Sequence, residues 1–430
     1  MTNATDSLAE MAKGPSGEGW NFNVLLIQGT FFHAARHVAS PRLVLPFLYM
    51  AFGAPTVFAG LLAPVVQIAQ LASQIVVAPI IRASRTRKWH LMLCAIAMAT
   101  ALSALALPSS ATPASIVVIT FLAVSVVLGF FRGLNKLAYN DLLGRSLTRK
   151  GRTTLMFTQT AVAGLVAIAA AWASQRIQAG ATPLRDHLDL LWTGTAVTAM
   201  AGVVITLVRE EPAEDAIPGR TVPRPGYLAE LREGLDRVGR IDWFRRYVVA
   251  RVFLVSVDLA MPFYAIHSAT LHGETRGSLS IFVIACGAAV VAGGPVWRSL
   301  GHRSHRAVMA TGAVVTGLAG AWALTIESVP ALQDPVPHAL VFALVAFGTQ
   351  GESGARTVYL VDFAAEAERP YCTALANTIS GALGVLVALA FGIIAHLQGT
   401  AWPILLIVIL NLVAAAACMR LQPVLRHFDR

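Results

Sequence analysis

Residues 24–49 read VLLIQGTFFHAARHVASPRLVLPFLY and residues 246–268 read RYVVARVFLVSVDLAMPFYAIHS. Each is longer than the roughly 20 apolar residues that carry a helix across a bilayer, and each holds charges inside the apolar run. Shifting the chain by 216 residues lays one on the other, with Pro46-Phe47 on Pro262-Phe263 and Arg42 on Asp258. The same shift sets Pro79 on Pro295, Arg82 on Arg298 and Arg87 on Arg303, and a shift of 220 sets Lys136 on Arg356, Tyr139 on Tyr359 and Gly164 on Gly384. A same-orientation repeat of this length implies two helical bundles related by an axis along the membrane normal, with a cavity at their interface.

Working outward, hydrophobic residues make up 56% of the 430 residues, charged residues 13%, and the mean hydropathy is +0.64. A soluble domain cannot cover its surface with so few polar groups, so the solvent is mostly lipid. Apolar runs predict twelve spans near 24–49, 54–81, 89–107, 114–137, 153–174, 189–208, 246–268, 277–297, 306–326, 336–358, 371–396 and 401–421. The expected fold class is an all-α membrane protein of two pseudo-symmetric six-helix bundles, 24–208 and 246–421. Tails at 1–23 and 422–430 and a linker at 209–245 complete the division, and the linker's apolar spacing from Tyr227 to Val238 predicts a surface helix.

The net charge of +10 does not point to nucleic acid, because the basic residues sit in short gaps between apolar runs. One side of the predicted membrane collects Lys13, Arg82, Arg85, Arg87, Lys88, Arg145, Arg149, Lys150, Arg152, the arginines of 209–246, Arg298, Arg303, Arg306, Arg369, Arg420, Arg426 and Arg430. The other side has Arg176, Arg185 and Arg276. Positive residues are retained in cytoplasmic loops, so both termini are expected in the cytoplasm of a multi-pass protein of the cell membrane.

Several function classes lack their chemistry. The sequence holds no phosphate loop, helical zinc pair or nucleophile elbow, which argues against ATP-driven pumping and against an enzyme. Cys94, Cys286, Cys372 and Cys418 lie apart inside apolar runs and read as packing residues, not as a metal cluster or disulfide framework. No cofactor is expected.

The second-half stretch GPVWRSLGHR carries Gly294, Arg298, Gly301 and Arg303, and the first-half stretch APIIRASRTR carries Arg82 and Arg87. With the repeat, these resemble the major facilitator superfamily, whose loop after the second helix of each half has a Gly, Asp, Arg, Gly, Arg pattern. Arg82 and Arg298 stand where that family has its acid, so the chain is a divergent relative by this reading. The resemblance extends to the acid-to-arginine stretches Asp141–Arg152 and Asp362–Arg369. It implies that Arg82, Arg87, Gly294, Arg298, Gly301 and Arg303 belong to gating loops, and that spans 1, 4, 7 and 10 line the pathway.

Charges at membrane depth cost at least a few kcal/mol, which makes each a functional candidate. Arg36 and Arg42 fall in span 1, Arg132 and Lys136 in span 4, Arg251 and Asp258 in span 7, and Glu352 and Arg356 in span 10. Helical spacing puts His33, Arg36 and His37 on one stripe, Arg132, Asn135, Lys136 and Tyr139 on another, and Glu352, Arg356 and Tyr359 on a third. Arg42 falls off its stripe unless Pro41 bends the helix, and its repeat partner Asp258 suggests a charge pair across the pseudo-axis. The expected substrate-binding set is therefore His33, Arg36, His37, Arg132, Asn135, Lys136, Tyr139, Arg251, Arg356 and Tyr359. Arg42, Asp258 and Glu352 are the expected coupling or pairing set. The competing reading is that these charges pair locally and lock helix packing.

Six cations against two acids predict an electropositive cavity and hence a small, anionic solute, moved by proton-coupled alternating access in a monomer embedded in the lipid bilayer. A broad-specificity efflux pump and a non-transporting scaffold or sensor are the alternatives. A scaffold would show dry packing where a transporter has an open polar cavity reached by Arg36, Asp258 and Glu352.

Overall fold

The computed structural model describes residues 18–109, 111–177, 182–210, 235–301, 303–365 and 368–423. Of the expected surface helix of the linker, residues 235–238 are described and helical, whereas its earlier part and most of both tails lie outside them. Within a bilayer every backbone N–H and C=O must be satisfied inside the chain, and among the described residues the secondary structure is helical, without strands. Side chains such as Ile119, Val203 and Leu386, each about two-thirds exposed, face outward as lipid-covered surface.

The helices in chain order are α1 (Glu18–Val38), α2 (Val44–Ala51), α3 (Thr56–Ala59), α4 (Leu62–Ala83), α5 (Lys88–Ala104), α6 (Ala114–Ser146), α7 (Arg149–Ile177) and α8 (Pro183–Val204). After the linker come α9 (Asp242–His272), α10 (Ser278–Gly301), α11 (His305–Ser328), α12 (Pro335–Phe363), α13 (Arg369–Gln398) and α14 (Ala401–Met419). Among the described residues, nine helical stretches are long and apolar enough to cross a membrane, and α5 is apolar but shorter. The stretches outside that set, α1 with α2 and α12, are those whose sequences carry Arg36 and Arg42 or the polar run Gly348–Arg356.

The first expected span is not one helix. Pro41 lacks an amide proton and its ring obstructs the preceding turn, so α1 ends at Val38 and the helix restarts on the Ser40 carbonyl, which accepts from Val44 N at 2.8 Å. Pro262 occupies the matching place of Pro46 in α9, which runs unbroken across it. Other expected spans shift as well: α7 begins at Arg149 and α8 at Pro183, each with a polar N-terminal turn, α9 begins at Asp242, and α6 runs on to Ser146.

The repeat is visible in the packing. In the first half α4 packs on α6, α5 on α6 and α8, and α1 on α7 and α8. In the second half α10 packs on α12, α11 on α12 and α14, and α9 on α13 and α14. The halves meet through α7 on α10, α2 on α9, and α13 on α3 and α4. One buried apolar cluster runs through the first half into the second, whereas another, which includes Phe244, Tyr247, Tyr359 and Cys418, belongs to the second half. The halves are thus joined at one end and separate at the other. The four cysteines are buried and unpaired.

Candidate functional site

At the separate end a cavity of about 510 Å³ opens in the first half between α1, α4, α6 and α7. Arg132, Asn135, Lys136 and Tyr139, one stripe of α6, all line it, together with His33 and Arg36 of α1. Leu143 and Met156 mark its outer part, and Arg36 and Arg132 also line the narrow recess behind its inner wall. From Leu143 to Arg132 the helix rises about 16 Å, so the two guanidinium groups sit deep in the protein. His37 does not line the cavity.

None of Arg36, Arg132 and Lys136 lies within 4 Å of a carboxylate oxygen among the described residues. The Arg132 Nε is buried and has no hydrogen-bond partner among the described residues. Burying an unpaired cation is costly, and an opposite charge placed against it offsets part of that cost.

Residues that the stripes did not single out complete the cavity. Gln159 of α7 is buried, and its Nε2 donates to Leu25 O at 2.6 Å and to Tyr139 Oη at 2.7 Å, which aims the phenol. A Cβ at Gly29 of α1 would collide with the Gln159 amide, so glycine at that position is what lets the glutamine cross the helix. Gln28, Gln70 and Asn140 add further amides. The available signal was an amide inside an apolar run.

The second half handles its charges differently. Asp258 Oδ1 lies 3.3 Å from Arg42 Nη2, and Asp258 Oδ2 lies 3.1 Å from Arg356 Nη1. That same Nη1 lies 3.1 Å from Oε1 of the fully buried Glu352, although neither Glu352 oxygen accepts a directed hydrogen bond. The result is an alternating chain Arg42, Asp258, Arg356, Glu352 that crosses between the halves. Arg42 lies beyond the end of α1, after the break at Pro41, and reaches this chain from there. Arg251 is clamped by neutral groups: Nη2 donates to Asn377 Oδ1 at 2.6 Å, Nε to Ser380 Oγ at 3.1 Å and Nη1 to Tyr247 Oη at 3.1 Å.

These contacts divide the expected substrate set. Arg251, Arg356 and Tyr359 do not line the cavity. Tyr359 is buried, stacks on Tyr247 with centroids 5.8 Å apart and donates to Gln422 O at 3.1 Å. Neither Asp258 nor Glu352 reaches the cavity wall, so its charge is that of Arg36, Arg132 and Lys136 and not a balance over eight groups.

The expected gating residues also separate. Arg82 lies on α4 and Gly294, Arg298 and Gly301 on α10, whereas Arg87 and Arg303 occupy the turns that follow. Arg87 is buried: its Nε donates to Asp141 Oδ2 at 2.6 Å, its Nη1 to Ser84 O, and its backbone N to Glu210 Oε1 at 2.6 Å. That knot ties the ends of α4, α6 and α8 together. In the second half His305 Nε2 faces Asp362 Oδ2 at 3.3 Å, Arg298 and Arg303 are exposed, and a Cβ at Gly294 or Gly301 would meet nothing within 4 Å.

Hydrogen bonds between the halves gather at the joined end. Gln175 Nε2 donates to Gly277 O at 3.0 Å, His187 Nε2 faces Gly273 O at 3.0 Å and His396 Nδ1 faces Thr56 Oγ1 at 3.3 Å. A Cβ at Gly392 of α13 would strike the Val57 carbonyl, so glycine there permits the close approach of the two halves.

No protein-family profile matches the sequence. Uncharacterized proteins of Mycobacterium tuberculosis and Mycobacterium bovis are 25% identical over 406 residues, 93% of this chain and 76% of each relative. Among solved structures, a mutant of the nucleoside transporter NupG superposes with a TM-score of 0.68 at 13% identity, covering 93% of this chain and 99% of that one. The inward-open xylose transporter XylE of E. coli gives 0.67 at 14% identity over 95% of this chain and 97% of its own. A bacterial homolog of the human lysosomal transporter Spinster, inward-facing and unoccupied, gives 0.61 at 14% over 93% and 96%. With its helical repeat and its superposition on these transporters over nearly the whole chain, the protein has the two-bundle fold of the major facilitator superfamily.

Proposed function

We propose that the protein is a secondary active transporter that moves a small anionic solute by alternating access of two six-helix bundles, 24–208 and 246–421, linked through 209–245. The observation that carries this reading is the set of three cations, Arg36, Arg132 and Lys136, opening onto one cavity with no carboxylate oxygen within 4 Å among the described residues. A volume of about 510 Å³ suits a metabolite-sized ligand. The structural neighbours, described as nucleoside, xylose and Spinster-like transporters, support transport as the class.

In this reading a carboxylate or phosphate docks between Arg36 and Arg132, with Lys136 nearer the entrance and Tyr139 and Asn135 as neutral donors. The Arg42–Asp258 bridge fastens the halves in the present conformation. Protonating Asp258 removes the attraction that holds Arg42, which is how a proton gradient would drive the exchange of conformations, with Glu352 as the further acid in the chain. The chain works as a monomer in the cell membrane with both termini in the cytoplasm, and the solute cavity then faces the cytoplasm.

Phe32, Leu143 and Met156 give the same cavity an apolar side, which favours, as the second reading, broad-specificity efflux of anionic amphiphiles. A scaffold or sensor is favoured less, because Arg36 reaches an open cavity lined by polar and apolar side chains, although Asp258 and Glu352 do not reach it.

Proteoliposomes screened with anionic metabolites, with and without a pH gradient, test the proposal. Uptake of an anion that depends on the gradient and is lost in Arg132→Ala is expected. Indifference to every solute and gradient would favour a scaffold. Transport with unchanged rate and pH dependence in Asp258→Asn would remove Asp258 from coupling.

A further inference from the structure

A second cavity, of about 840 Å³, lies on the outer surface of the second half at the separate end, between the start of α9 and the end of α14. The two helices pack against each other and run in opposite directions, so the first turn of one meets the last turn of the other. Arg245 and Arg246 come from α9 and Arg420 directly follows α14, and all three are exposed. No carboxylate oxygen lies within 4 Å of any of them among the described residues. Asp242 is the one acid on the rim, which leaves the groove with a net positive charge.

Beyond the arginines the walls turn apolar. Arg246, Val249 and Phe253 follow helical spacing on α9, and Val413, Ala417 and Arg420 follow it on α14. Val249 is 55% exposed and Val413 39% exposed, on faces that look out of the protein. From Arg246 to Phe253 the helix rises about 10 Å, the depth over which a phospholipid passes from headgroup to acyl chain. The start of α9 adds the positive end of a helix dipole at the level of the arginines.

A groove with cations at the membrane surface and aliphatic walls below them matches an amphiphile with an anionic head. We infer that the α9–α14 groove is a binding site for an anionic phospholipid, whose phosphate sits among Arg245, Arg246 and Arg420 and whose acyl chains lie along Val249, Phe253 and Val413. The site is separate from the solute cavity, and the inference does not depend on what that cavity carries.

Photoreactive phosphatidylglycerol, with the photolabel on the acyl chain, tests it on the detergent-purified full chain, with the matching phosphatidylcholine probe as the neutral comparison. Crosslinks are expected in peptides covering 242–253 and 413–421, at least about tenfold stronger for the anionic probe. The combined Arg245→Gln, Arg246→Gln and Arg420→Gln variant loses that preference. The combined Arg→Lys variant retains most of it, and Arg85→Gln, an exposed charge in the other half, leaves it unchanged. Equal labelling by both probes, labelling elsewhere, or full competition by millimolar inorganic phosphate would overturn the assignment. The wild-type arms decide the matter even where the triple variant fails to fold.

Discussion

The α6 and α12 stripes occupy equivalent places in the repeat, yet one is an unneutralised cationic wall and the other a closed ion-pair network. Their sequences explain the divergence. Arg132 and Lys136, four apart on α6, are like charges, whereas the equivalent positions on α12 are Glu352 and Arg356, which contact each other at 3.1 Å. One inversion of charge at one repeat position converts a local repulsion into a local pair. A repeat thus preserves helix positions while its two copies differ electrostatically: one leaves its cations without a carboxylate within 4 Å among the described residues, and the other pairs its charges.

The sharpest way to break that comparison is to make the first half resemble the second. Arg132→Glu is expected to pair with Lys136, keep the helical fold and lower anion uptake by about a hundredfold or more, read as initial rates in proteoliposomes. Retained uptake would mean that the α6 cations do not bind the solute.

Removing one member of the second-half chain strands its partners. Asp258→Asn is expected to cost about 3–5 kcal/mol in denaturant unfolding in detergent, whereas Arg132→Leu, which deletes an unpaired cation, is expected to be neutral or stabilising. The same cost for both would show that the halves do not differ in the way their charges are satisfied.

A smaller effect is expected at the Arg251 clamp. Asn377→Ala removes the 2.6 Å bond and should lower stability by about 1.5–3 kcal/mol without altering anion uptake. A loss of uptake with unchanged stability would return Arg251 to the solute pathway. The smallest effect is expected at Gly294→Ala and Gly301→Ala, where a new Cβ has open space and the change should stay within about 0.5 kcal/mol.

How far the site was legible follows from what periodicity can report. Spacing placed Arg132, Asn135, Lys136 and Tyr139 on one face of a helix, and that face lines the cavity. The same argument placed Tyr359 on the pathway, but the face it occupies is covered by Tyr247 and Phe363. A stripe states which residues look the same way and says nothing of what lies opposite. For that reason Asn377 and Ser380, ordinary polar residues in an apolar run, carried no signal until α13 was seen to pack on α9. Gln159 was legible only as an amide in the wrong surroundings.

The unbroken span expected at 24–49 shows the same limit at the level of the backbone. Pro41 announced a disturbance, but whether it bends or breaks a helix depends on what takes up the freed polar groups, and Pro262 is carried inside an intact α9.

Hydropathy, charge asymmetry and the fixed repeat offset determined from sequence alone that this is a lipid-embedded helical protein of two related halves, because lipid solvent restricts a chain to self-satisfied helices whose length and polarity are written locally. Only the tertiary structure decided which charges neutralise one another and which face a cavity, since at membrane depth the cost of a charge depends on the atoms within a few ångströms of it, contributed by helices distant in the chain.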